Sequence, residues 1–292
     1  LVGDVREAVG AEQFWVLIDQ EGGRVQRLCP PLFPELPAAR RYAELYQQDQ
    51  RKAQLAAYEI GKLMGRRLLD LGINMNCAPC LDAAQTGAHE IIGDRSFGNV
   101  VDDIVALGRR QAQGHLAAGC LPVIKHIPGH GRANADSHHD LPVIDASIEA
   151  LRSVDFEPFR QLNEMPVAMT AHVVYSTFNE PKPVSASFRL INDIIRAEIG
   201  FEGFLMCDDV SMQALEGSIG ERTAAVLSAG CDGALHCNGI MDEMIEVAEN
   251  SPELSGRALD RFMQSFDMIA HPQQIDESDA LAFLSEGWVQ AG

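Results

Sequence analysis

The sequence predicts an α/β protein of the (β/α)8 barrel type, and three observations lead there. Apolar runs of strand length alternate with amphipathic stretches of helix length, a glycine closes most helices just before the next strand, and titratable residues gather where strands end. A doubly wound sheet is the alternative. It ordinarily carries a glycine-rich phosphate turn such as GxGxxG after its first strand, and the chain has none there. The 292 residues suit one domain of a class that runs to about 250 residues. No linker rich in Pro, Ser or Gly divides them, so we expect one barrel domain over residues 1–292, with 271–292 as a C-terminal helical extension.

Leu1 to Val9 reads as the tail of a helix, stopped by Gly10. The chain begins without Met, and its true amino terminus is expected to be missing, and with it at least the barrel's first strand. Phe14-Trp-Val-Leu-Ile18 is a buried strand delivering Asp19-Gln-Glu-Gly-Gly-Arg-Val-Gln-Arg27 at its end. Arg51 to Leu71 is helical, with Leu55, Ile60, Leu63, Met64 and Leu71 near one apolar face, and Gly72 closes it. Strand Ile73–Ala78 follows, then a long excursion holding Gly93-Asp-Arg-Ser-Phe-Gly98, then a helix from Asp102 to Ala118 capped by Gly119. Leu121 to Ile124 is the next strand. Asp145 or Ser147 caps a helix reaching Leu162, and Val167–Val173 is a strand. Ser187 caps a helix whose Leu190, Ile191, Ile194 and Ile195 face inward and which ends at Gly200. Phe204–Cys207 is a strand with Asp208-Asp209 at its exit, and the helix ending at Gly230 leads to the last clear strand, Ala234-Leu235. Six strands are countable.

Composition narrows the partners. A formal net charge of −19, from 23 basic and 42 acidic residues, opposes contact with nucleic-acid phosphates or anionic lipid, so neither nucleic acid nor membrane is expected as a partner. No apolar run approaches the roughly 20 residues that span a bilayer. Seven cysteines form an odd set, several inside apolar segments, which suits reduced core thiols in a cytoplasmic protein. Cys77-Ala-Pro-Cys80 is a lone CxxC and reads as small residues at a strand end; no metal or cofactor is expected.

The chemistry concentrates after Ile124. From Lys125-His-Ile-Pro-Gly-His-Gly131 through Arg132 to Asn134-Ala-Asp-Ser-His-His-Asp140 there are four histidines, two aspartates, a lysine and an arginine, more than a connecting loop needs. In a barrel the strand exits bring together Asp19, Arg27, Arg95, Lys125, His126, Asp136, His138, His172 and Asp208. That set lacks a nucleophile elbow, a Walker loop and HExxH. Carboxylate and imidazole chemistry remains, and sugar cleavage asks for it: one group attacks or stabilises the anomeric carbon while another protonates the leaving oxygen. Adjacent strand residues face opposite ways, so at most one of Asp208 and Asp209 faces the barrel mouth; periodicity does not say which.

Together Ile18-Asp-Gln-Glu-Gly-Gly-Arg-Val-Gln-Arg27, Asp94-Arg-Ser-Phe97, Lys125-His-Ile-Pro-Gly-His-Gly131, Asp136-Ser-His138 and Asp208-Asp-Val-Ser-Met212 resemble family 3 glycoside hydrolases, most closely the single-domain bacterial β-N-acetylhexosaminidases of peptidoglycan recycling. The resemblance implies a retaining enzyme that removes terminal β-linked N-acetylglucosamine from peptidoglycan fragments. It makes Asp208 the nucleophile, His138 the general acid/base and Asp136 its partner, with Asp19, Arg27, Arg95, Lys125 and His126 binding the sugar. His130 and His139 read as backbone-bonded or solvated histidines, Asp209 as a supporting or capping carboxylate, and His172 as either a core histidine or a sugar contact. Phosphate in place of water as acceptor is the alternative on the same site. A metal-dependent barrel hydrolase using His126, His130, His138 or His139 with Asp208 and a non-catalytic sugar-binding protein are more remote.

Overall fold

The computed structural model describes residues 2–11, 13–134, 141–274 and 276–286. The chain divides into two compact units, one made of Leu1–Leu81, Asp94–Ile124 and Met263–Gly292, the other of Asp82–Gly93 and Lys125–Phe262.

The first unit contains helix α1 (Val2–Val9), strand β1 (Leu17–Ile18), an antiparallel hairpin of β2 (Gln20–Gly22) and β3 (Val25–Gln26), helices α2 (Ala39–Tyr46) and α3 (Gln50–Asp70), strand β4 (Met75–Asn76) and helix α4 (Val101–Ala118). Strands β1 and β4 run parallel, and β4 pairs in parallel with Leu121 and Pro122 of β5 (Leu121–Ile127). Strand β1 is shorter than the Phe14–Ile18 run suggests because side chains take over its ends. Asn74 accepts from the Val16 amide at 2.8 Å and donates to the Phe14 carbonyl at 2.9 Å. Asn76 does the same for Gln20, at 3.0 and 2.9 Å, and turns its remaining N–H to His115 Nε2 at 2.8 Å. His115 Nδ1 lies 2.8 Å from the Gln111 carbonyl, so Nδ1 carries the proton and Nε2 accepts. Burial pushes this imidazole down to about 4.

Helices α3 and α4 pack backbone to backbone. A Cβ on Gly61 would stand 2.6 Å from the Gln111 carbonyl oxygen, and one on Gly114 2.2 Å from that of Tyr58. The buried face of α3 is accordingly a seam of Ala53, Ala56, Ala57, Gly61 and Gly65 flanked by Ile60, Leu63, Met64 and Leu68. Leu55 and Leu71, expected near this face, are exposed at 45% and 47%. At about 100° per residue Leu55 falls on the opposite side of the helix from the seam, and Leu71 follows its last residue. Beyond α4 this unit is completed by helix Ser278–Ser285, whose approach is tied to α3 by an Arg67–Glu277 ion pair at 2.9 Å.

The second unit holds the end of β5, β6 (Val143–Ile144), β7 (Val167–Thr170), β8 (Val174–Tyr175), β9 (Phe204–Asp209) and β10 (Gly233–Leu235). Strand β9 lies between β7 and β10 and is parallel to both, while β6 and β8 form a separate parallel pair. Strand β5 runs three residues past Ile124, so Lys125 and His126 are buried strand residues rather than loop residues. Likewise β9 takes in Asp208 and Asp209. Ser147, not Asp145, caps the helical stretch that follows, and Ser187 caps the next, where Leu190, Ile191, Ile194 and Ile195 are buried as expected. The glycines read as hand-offs from helix to strand all have positive φ: Gly72 and Gly119 in the first unit, at 81° and 88°, and Gly200 and Gly230 in the second, at 77° and 109°. No helix among the described residues is long and apolar enough to cross a membrane.

The α3–α4 seam sets a test of the packing. Gly114→Ala should cost about 1–3 kcal/mol in urea-induced unfolding, because its methyl must displace backbone rather than a flexible side chain. Gly3→Ala, on α1 with nothing within 4 Å of the new methyl, should be neutral or slightly stabilising in the same measurement.

Candidate active site

In the second unit the site is built round Asp82, a carboxylate with no solvent exposure. It receives the His130 amide at 2.6 Å, the His126 ring Nδ1 at 2.6 Å and the His126 amide at 3.3 Å. Burial alone would raise this carboxyl. The His126 imidazole, by its electrostatic attraction and its ring hydrogen bond, and the His130 amide outweigh it and hold Asp82 well below the usual carboxylate range. Asp82 therefore fixes both ends of the His-Ile-Pro-Gly-His segment.

Further anchors surround that turn. Tyr175 Oη donates to the Gly129 carbonyl at 2.5 Å, and Arg132 Nε donates to Asp155 at 2.7 Å. Asp155 is buried, which pushes its carboxyl up to about 6 against the pull of Arg132. His130 is buried as well, and its Nδ1 has no hydrogen-bond partner among the described residues. Burial, assisted by the charge of His126, takes that imidazole down to about 4. It is a neutral, enclosed group and not the solvated histidine that its loop position suggests.

Asp208 stands at the end of β9, 9% exposed. Its Oδ1 accepts from the Asp209 amide at 2.9 Å. Burial would raise its carboxyl, yet the imidazoles of His126 and His172, the Asp209 amide and the Lys125 ammonium together hold it below the ordinary carboxylate range. Asp209 points elsewhere, accepting from the amide and hydroxyl of Ser211 at 2.9 and 2.7 Å. His172 is a core histidine, fully buried, with Nδ1 2.6 Å from the Ser185 hydroxyl and Nε2 3.1 Å from the Asp209 carbonyl. Only a protonated Nε2 satisfies a carbonyl, so Ser185 donates to Nδ1. Of the residues singled out by sequence, Lys125, His126 and Asp208 are thus brought together here. Asp136 and His138 lie outside the described residues.

In the first unit Asp19 leaves β1 half-exposed, and Arg27 approaches it at 3.6 Å while remaining 62% exposed at its side chain. Arg95 is held far more tightly, its Nε and Nη2 donating to the two oxygens of Glu21 at 3.0 and 2.9 Å. Such a bidentate, nearly buried pair presents the guanidinium in one orientation. Glu21 and Asp82 escaped the sequence reading. Glu21 lies inside the Asp19–Arg27 segment, and Asp82 follows β4 at a strand exit, the position that also marks Asp19 and Asp208.

The titration of His130 gives a pH test. Unfolded, it gains a proton near pH 6.5; folded, only near pH 4. Between those values the unfolded chain binds the extra proton, so stability present above about pH 6.5 is lost as pH falls towards 4. His130→Gln should flatten this part of a plot of unfolding free energy against pH, leaving the slope of the same sign that His115 supplies.

Known proteins share this framework. Residues 5–265 match the family described as the glycosyl hydrolase family 3 N terminal domain. A β-hexosaminidase from Alkalilimnicola ehrlichii is 38% identical over 239 residues, covering 80% of this chain and 68% of its own. One from Bordetella avium is 33% identical over 278 residues, covering 93% and 77%. The crystal structure of NagZ from Neisseria gonorrhoeae in complex with N-trifluoroacetyl-D-glucosamine superposes with a TM-score of 0.83 at 30% identity, over 98% of this chain and 81% of that one. With that family match spanning most of its length, this chain belongs to glycosyl hydrolase family 3.

Proposed function

We propose that the protein is a retaining exo-β-N-acetylglucosaminidase of (β/α)8 architecture acting on peptidoglycan fragments. The observation that carries the reading is Asp208, a nearly buried carboxylate kept ionised at a strand exit and tethered through its own neighbour's amide. An ionised, oriented carboxylate is what a glycosidic nucleophile requires. The β-hexosaminidase names of the relatives and the sugar analogue bound to the gonococcal protein support the choice of sugar.

In this reading an Asp208 oxygen bonds to the anomeric carbon as the bond to the aglycone oxygen breaks, and His138, oriented by Asp136, gives that oxygen its proton. His138 then takes a proton from water, whose oxygen displaces Asp208 and returns the sugar with its configuration retained. Asp19, Arg27, Arg95, Lys125 and His126 bind the N-acetylglucosamine. The two supports for a cytoplasmic setting are a substrate class that arises from wall recycling and an odd set of seven cysteines, five of them buried.

Turnover of p-nitrophenyl N-acetyl-β-glucosaminide should be rapid and independent of added phosphate; acceleration by phosphate with release of a sugar phosphate would replace hydrolysis by phosphorolysis. Asp208→Ala should lose at least about a thousandfold in kcat/KM, the several kcal/mol that a nucleophile supplies. His138→Ala should accumulate the glycosyl-enzyme and recover part of its rate with azide. An inverted product would rule the reading out.

A further inference from the structure

The turn that follows Asp208 is held from outside. Arg222, half-buried in the first turn of helix Ile219–Ser228, places Nη1 3.2, 3.3 and 3.1 Å from the carbonyl oxygens of Val210, Ser211 and Met212, and its Nε donates to the Gly217 carbonyl at 3.0 Å. The preceding carbonyl, that of Asp209, accepts from His172 Nε2. Four successive carbonyls after the proposed nucleophile are therefore met by side-chain donors from two other segments. Two amides of the same turn meet carboxylates, that of Asp209 at Asp208 Oδ1 and that of Ser211 at Asp209 Oδ1, while those of Val210 and Met212 donate to the Leu235 and Asp209 carbonyls.

The helix that carries Arg222 is itself fixed. Ser218 and Glu221 form a reciprocal cap, with the Ser218 amide donating to Glu221 at 2.8 Å and the Glu221 amide donating to Ser218 at 3.2 Å. The Gly220 amide donates to Glu246 at 3.0 Å. Gly217 has φ 92° and would drive a Cβ to within 2.7 Å of Glu221, so only glycine closes this corner. A guanidinium is the side chain that can address several carbonyls from one rigid plane; a lysine offers a single point of charge.

We infer that Arg222 is a positioning residue for the proposed nucleophile: by gathering the carbonyls of residues 210–212 it keeps the Asp209 amide aimed at Asp208 and the carboxylate in its attacking orientation. The inference rests on Asp208 being the nucleophile. Arg222 touches no reacting atom. Its loss should slow the step in which Asp208 attacks while leaving sugar binding intact, because Lys125 and His126 are held by β5 and Asp82.

The test is the rate at which a 5-fluoro-N-acetylglucosaminyl fluoride, which loses fluoride as the sugar is captured, labels Asp208, followed by peptide mass spectrometry. In Arg222→Gln the labelling rate and kcat should both fall by about 10- to 100-fold, the loss that a misplacement near 1 Å brings. Competitive inhibition by N-acetylglucosamine should stay within about twofold, and Arg222→Lys should recover part of the rate. Arg189→Ala, which removes an exposed arginine bound to the Phe178 carbonyl, should leave every one of these values unchanged. Labelling of Arg222→Gln at the unsubstituted rate overturns the inference alone. So does a loss of sugar affinity and melting temperature in proportion to the rate, which marks a merely structural residue. If Arg222→Gln does not fold, Arg222→Lys decides by the same split between labelling and inhibition. Absence of label from Asp208 in the unsubstituted chain overturns the nucleophile assignment and this inference with it.

Discussion

A carboxylate buried without solvent costs several kcal/mol unless donors replace the water it has lost, and Asp82 has that problem at 0% exposure. Its donors come from the Lys125-His-Ile-Pro-Gly-His-Gly131 motif, so satisfying one anion folds the motif into a closed turn. The glycines of the motif follow from the same closure. A Cβ on Gly131 would stand 2.1 Å from the Ala83 carbonyl oxygen, beside the residue that supplies the anion, and one on Gly129 would strike Asp155 at 2.9 Å. The direction of the His126 ring is settled by the same bond, since Nδ1 is committed to Asp82 and the opposite edge of the imidazole is the one left for other work.

Much of this was legible in the chain because it rests on local rules. The six strands read from sequence are all present, as β1, β4, β5, β7, β9 and β10, and the glycine hand-offs all adopt the left-handed conformation that makes them recognisable. What escaped was non-local. Asp82 meets partners 44 and 48 residues away, and nothing in its own neighbourhood announces them. The closeness of the α3 seam is non-local too, since its glycines and alanines answer to the approach of another helix, whereas the exposure of Leu55 follows from the helical period alone. Asx-type turns and side-chain ladders, as at Asp209, Asn74 and Asn76, also lie between the two scales, since each needs a particular backbone in reach.

Strand alternation required the neighbours Asp208 and Asp209 to part, and hydrogen bonding gives each a distinct task. Asp209 spends its carboxylate on Ser211 and shapes the turn; Asp208 accepts one amide and otherwise faces cationic and imidazole groups. The residue with fewer committed bonds is the one with chemistry to spare. The Glu21–Arg95 pair in the first unit works by the opposite logic, where full commitment of the carboxylate gives the guanidinium a fixed direction.

Retaining hydrolysis needs its nucleophile ionised and its acid protonated at the same pH, so their surroundings must differ. The neighbourhood that keeps Asp208 ionised is unsuited to supplying the acid. His130 is pushed down to about 4 and carries no proton to give near neutrality. His172 is lowered by burial as well, and both of its nitrogens are occupied, by Ser185 and by the Asp209 carbonyl. His126 is bound to Asp82. If the proposed retaining route holds, none of these three histidines is its acid. In the proposed reading the role falls to His138, which is separated in sequence from the strands that carry Lys125, His126 and Asp208.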